Sequence, residues 1–158
     1  MILDERNEFA DAASVAAAAG TALIGDVIDL GNPTHDIGNG EPLYLVITVD
    51  TEIITGGIAG TIKFQLVSDA QAAIAVDGSA TVHFDSGTFV TDDAAANDAQ
   101  LDAGGMPVSV AIPMEGKVFE RYLGILAVIA TTTVTAGAIS AYLTQTPAKW
   151  AALPDATN

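Results

Sequence analysis

Hydrophobic and polar positions alternate with a period of two in several separate stretches of this chain. In residues 61–68 (TIKFQLVS), Ile62, Phe64 and Leu66 share one face while Lys63 and Gln65 share the other. In residues 106–113 (MPVSVAIP), Val108, Val110 and Ile112 line one face. Such alternation marks a half-buried strand. Residues 43–55 (LYLVITVDTEIIT) read as a further strand, apolar on both faces at first and polar at Asp50-Thr51-Glu52. Residues 25–31 (GDVIDLG) form a short strand between glycines, and 81–84 and 88–90 are short strands broken by the turn sequence Asp85-Ser86-Gly87. Residues 70–76 fit a helical turn or a weak strand. Residues 10–19 are alanine-rich, which propensity alone makes helical. Ser14-Val15 and Gly20-Thr21 interrupt and end that segment, so an N-terminal arm or an edge strand accounts for it equally well.

The longest feature lies near the end of the chain. From Tyr122 to Ala148 there is no charged side chain. A run of that length, flanked by Lys117, Arg121 and Lys149, meets the criteria for a membrane span. Its interior argues against one. Thr131-Thr132-Thr133-Val134-Thr135-Ala136-Gly137 is β-branched and closed by glycine, a composition suited to a pleated surface. Beyond it Ile139, Ala141 and Leu143 alternate with Ser140, Tyr142 and Thr144. Before it Leu123, Ile125, Ala127 and Ile129 interleave with Tyr122, Leu126 and Val128, apolar on both faces as a central strand is. The run is expected to be two buried strands forming a core hairpin. The excess apolarity of 125–129 fits a central strand or a face buried against another subunit.

About eight short strands with turn signals between them, and no long helix, predict an all-β fold: a jelly-roll-like β-sandwich. The expected organisation is an N-terminal arm or edge segment over 1–24, the sandwich over 25–145 and a C-terminal tail over 146–158.

Charge and composition narrow the function. Twenty acidic residues against five basic ones give a formal charge of −15. Such a surface repels phosphate, so neither nucleic acid nor an anionic membrane is an expected partner. A basic partner or a salty medium would account for the acidity. There is no cysteine, which excludes disulfides and thiolate chemistry. The opening MILDERNEF lacks the basic-then-apolar order of a secretory signal.

Candidate chemistry is sparse. His35 neighbours Asp36, and His83 and Asp85 lie two apart on one predicted strand face, a spacing that lets a carboxylate orient an imidazole. No nucleophile motif accompanies either pair. Asp50 and Glu52 share a strand face as paired carboxylates of a glycosidase would. The acidic loop 92–102 offers Asp92, Asp93, Asn97, Asp98 and Asp102 to a hard cation such as calcium, without the spacing of a calcium loop. No phosphate loop, dinucleotide fingerprint or zinc motif is present. The expectation is a non-enzymatic protein with no cofactor and no metal.

Four motifs carry a resemblance. Phe9-Ala10-Asp11-Ala12, Asp26-Val27-Ile28-Asp29-Leu30-Gly31, Arg121-Tyr122-Leu123-Gly124, and Thr135-Ala136-Gly137 with Tyr142-Leu143 occur in that order. The chain resembles the capsid cement, or decoration, proteins of short-tailed bacteriophages, typified by a Bordetella phage. The resemblance implies a jelly-roll virion structural protein on the outer surface of an icosahedral capsid. It would cement neighbouring copies of the major capsid protein as a homo-oligomer, a dimer in the first instance and a trimer in the second. It transfers no catalytic residue. Expected capsid or subunit contacts lie in the two ends, at Phe9, Asp11, Trp150 and Leu153, because ends can reach across subunit joints. Two other classes compete. A secreted or surface carbohydrate-binding module would need a row of exposed aromatics from one Trp and three Tyr. A small hydrolase would use His83 and Asp85.

Overall fold

The computed structural model describes residues 5–31, 41–92, 97–113 and 116–147. Its regular structure is nearly all strand: β1 (Glu8–Ser14), β2 (Gly20–Asp29), β3 (Tyr44–Ile54), β4 (Gly60–Asp69), β5 (Thr81–Asp85), β6 (Phe89–Thr91), β7 (Val108–Ala111), β8 (Tyr122–Ala130) and β9 (Ala136–Thr144). Two short 3-10 turns, Glu5–Asn7 and Ala99–Leu101, accompany the strands among the described residues. No helix among the described residues is long and apolar enough to cross a membrane.

The strands form two antiparallel sheets, ordered β1-β9-β3-β7 and β2-β8-β4-β5, with β6 also pairing β4. The chain changes sheet at every connection except those joining β4, β5 and β6. That interleaving is the jelly-roll form of a β-sandwich, with one strand more than the sequence pattern predicts.

Inward-facing residues are the ones that the alternation selects. Ile62, Phe64 and Leu66 on β4, Ile125 and Ala127 on β8, and Ile139 and Ala141 on β9 are buried in one core between the sheets. The expected hairpin, however, does not form. Both edges of β8 are taken within the second sheet, Leu126 pairing with Leu23 of β2 and with Gln65 of β4. Both edges of β9 are taken in the first sheet, by β1 and β3. Residues 131–135 therefore carry the chain across one end of the sandwich. Thr131 adopts φ 75, Val134 is buried, and its N–H donates to the carbonyl of Ala17.

The N-terminal segment is also built into the sheets. Residues that propensity makes helical form β1 along the edge of the first sheet, where pairing with β9 and burial of Phe9, Ala10 and Val15 outweigh intrinsic preference. The expected short strand at 25–31 is longer, beginning at Gly20, because 20–24 pair with the far half of β8. A bulge between Ile24 and Ile28 interrupts that pairing. At its start Gly25 takes φ +65 against the Phe9 carbonyl.

Residues 70–76, part of a longer irregular segment 70–80, adopt neither of the expected forms. They fold back over the outer face of the second sheet, pinned by the Asp69 carboxylate, which accepts the N–H groups of Gln71 and Ala75. Ile74 and Ala80 pack there with Val67 and Leu126 as a small second core. The apolarity of β8 on both faces thus has an explanation within the chain: Ile125 is 0 % exposed toward the main core and Leu126 is 3 % exposed beneath this cover.

Candidate functional site

His83 and Asp85 do not meet. The register between β4 and β5 shifts after Leu66, which pairs with Phe84, while Val67 pairs with Val82, leaving His83 as an extra residue. A bulge breaks the two-residue alternation on which the shared face depended. The Asp85 carboxylate turns instead to Lys63 Nζ and Gln65 Nε2, both at 2.7 Å, and accepts the Gly87 N–H. His83 turns to Ser68, its Nε2 2.7 Å from Oγ, and its ring stacks on Phe119 with centroids 3.9 Å apart. Ser68 is 0 % exposed and its Oγ accepts the Glu120 N–H at 3.0 Å. Which of Oγ and Nε2 donates in this contact follows the tautomer of the ring. Burial, and secondarily the charge of Lys117, holds the His83 imidazole below its ordinary value. The pair fastens β4, β5 and the segment before β8 together, and its hydroxyl has no solvent access.

Three of the other candidate groups are used locally. Asp50 lies at a register shift in β3 and accepts from the Ser140 hydroxyl at 2.7 Å, while Ser140 Oγ accepts the Ala12 N–H. In the acidic loop, Asp98 accepts the Val90 N–H and Asn97 donates to the Ile53 carbonyl, which ties the loop to β6 and β3. No cluster of three or more metal-ligating side chains occurs among the described residues. Asp93, His35 and Asp36 lie outside the described residues, as do the expected contact residues Trp150 and Leu153.

Of the two remaining expected contacts, Phe9 is 1 % exposed in the main core, because its place on β1 turns it between the sheets. Asp11 is exposed. It borders an open groove of about 700 Å³ where β1 meets β2, with Glu8, Asp26 and Asp29 on its walls and Val27 and Ile28 among its apolar residues. The sequence reading missed this groove. The signal was present in two acidic strands, EFAD and DVID, but nothing in either stretch says that they lie side by side.

Beside the groove, Arg121 grips Asp29 with two hydrogen bonds of 2.8 Å and lies over the Tyr122 ring. This bond, helped by the Gly31 N–H, lowers the Asp29 carboxyl from 3.8 to about 2. A carboxyl with a depressed folded-state value adds stability above its unfolded value and loses it as pH falls toward the folded one. Asp29→Asn is therefore expected to lower the urea midpoint at pH 4.5 and to lower it much less at pH 2, where the wild type has lost most of the same contribution. Both partners are exposed, so added salt is expected to shrink the difference. Equal differences at both pH values count against the assignment.

The exposed large hydrophobic side chains among the described residues are aliphatic: Ile58, Val76, Val82, Val90 and Val118. Tyr142 is buried, and Tyr44 and Tyr122 are half-buried. A family model described as Bbp16 matches residues 9–143, from the first buried residue of β1 to the last residue but one of β9. Comparison with curated proteins finds no match.

Proposed function

The chain belongs to the Bbp16 family, whose name points to a Bordetella phage protein, and from that membership we propose that it is a non-enzymatic capsid cement protein. In this reading it binds the outer surface of an icosahedral phage shell and ties neighbouring major capsid subunits together. The family match carries the proposal, since it spans nearly the whole jelly roll. The charge of −15 supports an outer position, because packed DNA would repel it from the inner one. A homo-oligomer, dimer before trimer, would multiply weak contacts over a repeating lattice. Binding only the assembled shell would stabilise it by mass action.

The test is to add purified protein to shells stripped of it. Saturable rebinding, with a rise in the temperature at which shells break, is the expected result. Shells that break at one temperature with and without the protein would remove the cementing role. If the tail supplies an aromatic anchor, Trp150→Ala weakens particle binding by about tenfold or more, the scale of an interface hot spot. The urea midpoint of the free protein is expected to stay unchanged. Unaltered affinity would exclude Trp150 as an anchor while leaving the rest of the proposal standing.

A further inference from the structure

β1 and β2 are terminal strands of their sheets. Among the described strands each is paired along one edge alone, β1 with β9 and β2 with β8. Their open edges meet at the groove described above, whose walls are runs of neighbouring residues, 8–11 from β1 and 26–29 from β2. Both pairings are irregular there. β1 shifts register on either side of Ala10, and β2 shifts between Ile24 and Ile28. Bulges of this kind keep an open edge from pairing flat with another sheet. The groove stays accessible to something narrower, a single extended segment. We propose that it seats a basic, extended segment of the major capsid protein.

Charge selects the occupant. Asp11 and Asp26 are exposed on the two walls, and the ion pairs Lys63–Asp85 and Arg121–Asp29 do not involve them. Glu8 and Asp29 add two further carboxylates. The chain has two arginines, and both lie at this place. Arg6 lines the groove, while Arg121 holds Asp29 with two hydrogen bonds of 2.8 Å and lies over the Tyr122 ring. Arg121 thus shows how a guanidinium docks here, by a two-pronged bond to a carboxylate. An arriving cation would find the same chemistry at Asp11 and Asp26. Val27 and Ile28, both half-buried, lie between Asp26 and Asp29. An extended chain that alternates cationic and aliphatic side chains would match both kinds of surface.

Other occupants fit less well. A second copy offering the same edges would set carboxylate against carboxylate. Nucleic acid would bring phosphate to an acidic wall. No cluster of three ligating side chains suited to a metal ion occurs among the described residues. That the segment belongs to a capsid subunit rests on the cement reading, whereas its basic, extended character follows from the groove.

Two measurements keep these apart. In the first, the full chain is titrated with a short blocked peptide alternating arginine and valine, and its amide shifts are followed by NMR. Shifts concentrated at residues 8–11 and 26–29 are expected, and none with glutamate in place of arginine. Shifts spread equally over Asp77, Asp98 and Asp102, or no shifts, would overturn the groove. In the second, binding to stripped shells is compared for two doubly substituted chains. Asp11→Asn with Asp26→Asn should weaken binding by about tenfold, the scale of two exposed ion pairs. The loss should shrink in about 0.5 M salt. Glu52→Gln with Asp102→Asn removes the same charge outside the groove and should leave binding nearly unchanged. Equal weakening by both pairs, or by neither, would overturn the docking site while the cement reading stands. Shells that fail to bind the wild type would remove the capsid as the source of the segment, and the peptide titration would still decide the groove.

Discussion

Replacing Gly25 with alanine is expected to destabilise the protein by about 2–4 kcal/mol, combining the cost of a left-handed conformation with that of overpacking. Gly25 sits at φ +65, and a Cβ there would run into the Phe9 carbonyl oxygen, with the Phe9 carbonyl carbon 2.9 Å away. The obstacle is backbone, which cannot swing aside as a flexible side chain can. Relief would require β1 to move away from β2, opening the corner that buries Phe9 and Ala10. Gly78 provides the control. Its φ is +92 but no atom lies within 4 Å of its Cβ position, so Gly78→Ala should show only the conformational part, about 1–2 kcal/mol. Urea denaturation of both variants separates the two effects. Equal losses would mean that the close approach at Phe9 carries no energy.

The second large effect is expected at Leu126. In a two-layer sandwich whose outer face meets water, its truncation would cost little. Here Leu126 lies under residues 70–80 with Val67 and Ile74. Leu126→Ala should therefore cost about 2–5 kcal/mol, the range for a buried leucine and close to that of Ile125→Ala on the opposite face of β8. A double-mutant cycle with Ile74→Ala should show coupling, because contacting residues do not lose stability additively. The loss should also be independent of protein concentration. A loss that appears only at concentrations where the protein associates would show instead that another copy covers this face. Gly124 fits the same cover, since a Cβ there would meet Ile74 Cδ1 at 2.5 Å.

Much of the architecture was legible in the sequence, for a simple reason. Side-chain alternation along a strand is a local property, and one buried face selects it. Ile62, Phe64 and Leu66 on β4, and Ile139, Ala141 and Leu143 on β9, are inward as their spacing requires. The stretch 131–137, expected to hold the turn of a hairpin, does separate two strands, although Ala136 and Gly137 already belong to β9. Its consequence was not legible, because a turn and a crossing between sheets use similar residues. Only the pairing of β8 with β2 and β4, and of β9 with β1 and β3, distinguishes the two. The alanine-rich N-terminus illustrates the same limit: its pairing partner on β9 is more than a hundred residues away in the chain.

The candidate site divides along the same line. His83 and Asp85 stand two apart in sequence, yet one bulge residue in β5 sends them to different partners. Ser68, Phe119 and Glu120 carry no motif that would join them to His83. They meet because β4, β5 and the segment before β8 converge at one end of the sandwich. By itself the sequence determined the all-β class, the inward faces of the strands, the acidity and the absence of thiol chemistry, because each is written in composition or in a period of two. Only the tertiary structure decided which strands are neighbours, what covers the outer face of β8 and where His83 points. Those depend on long-range register and on single-residue bulges, whose energies come from contacts that no local pattern contains.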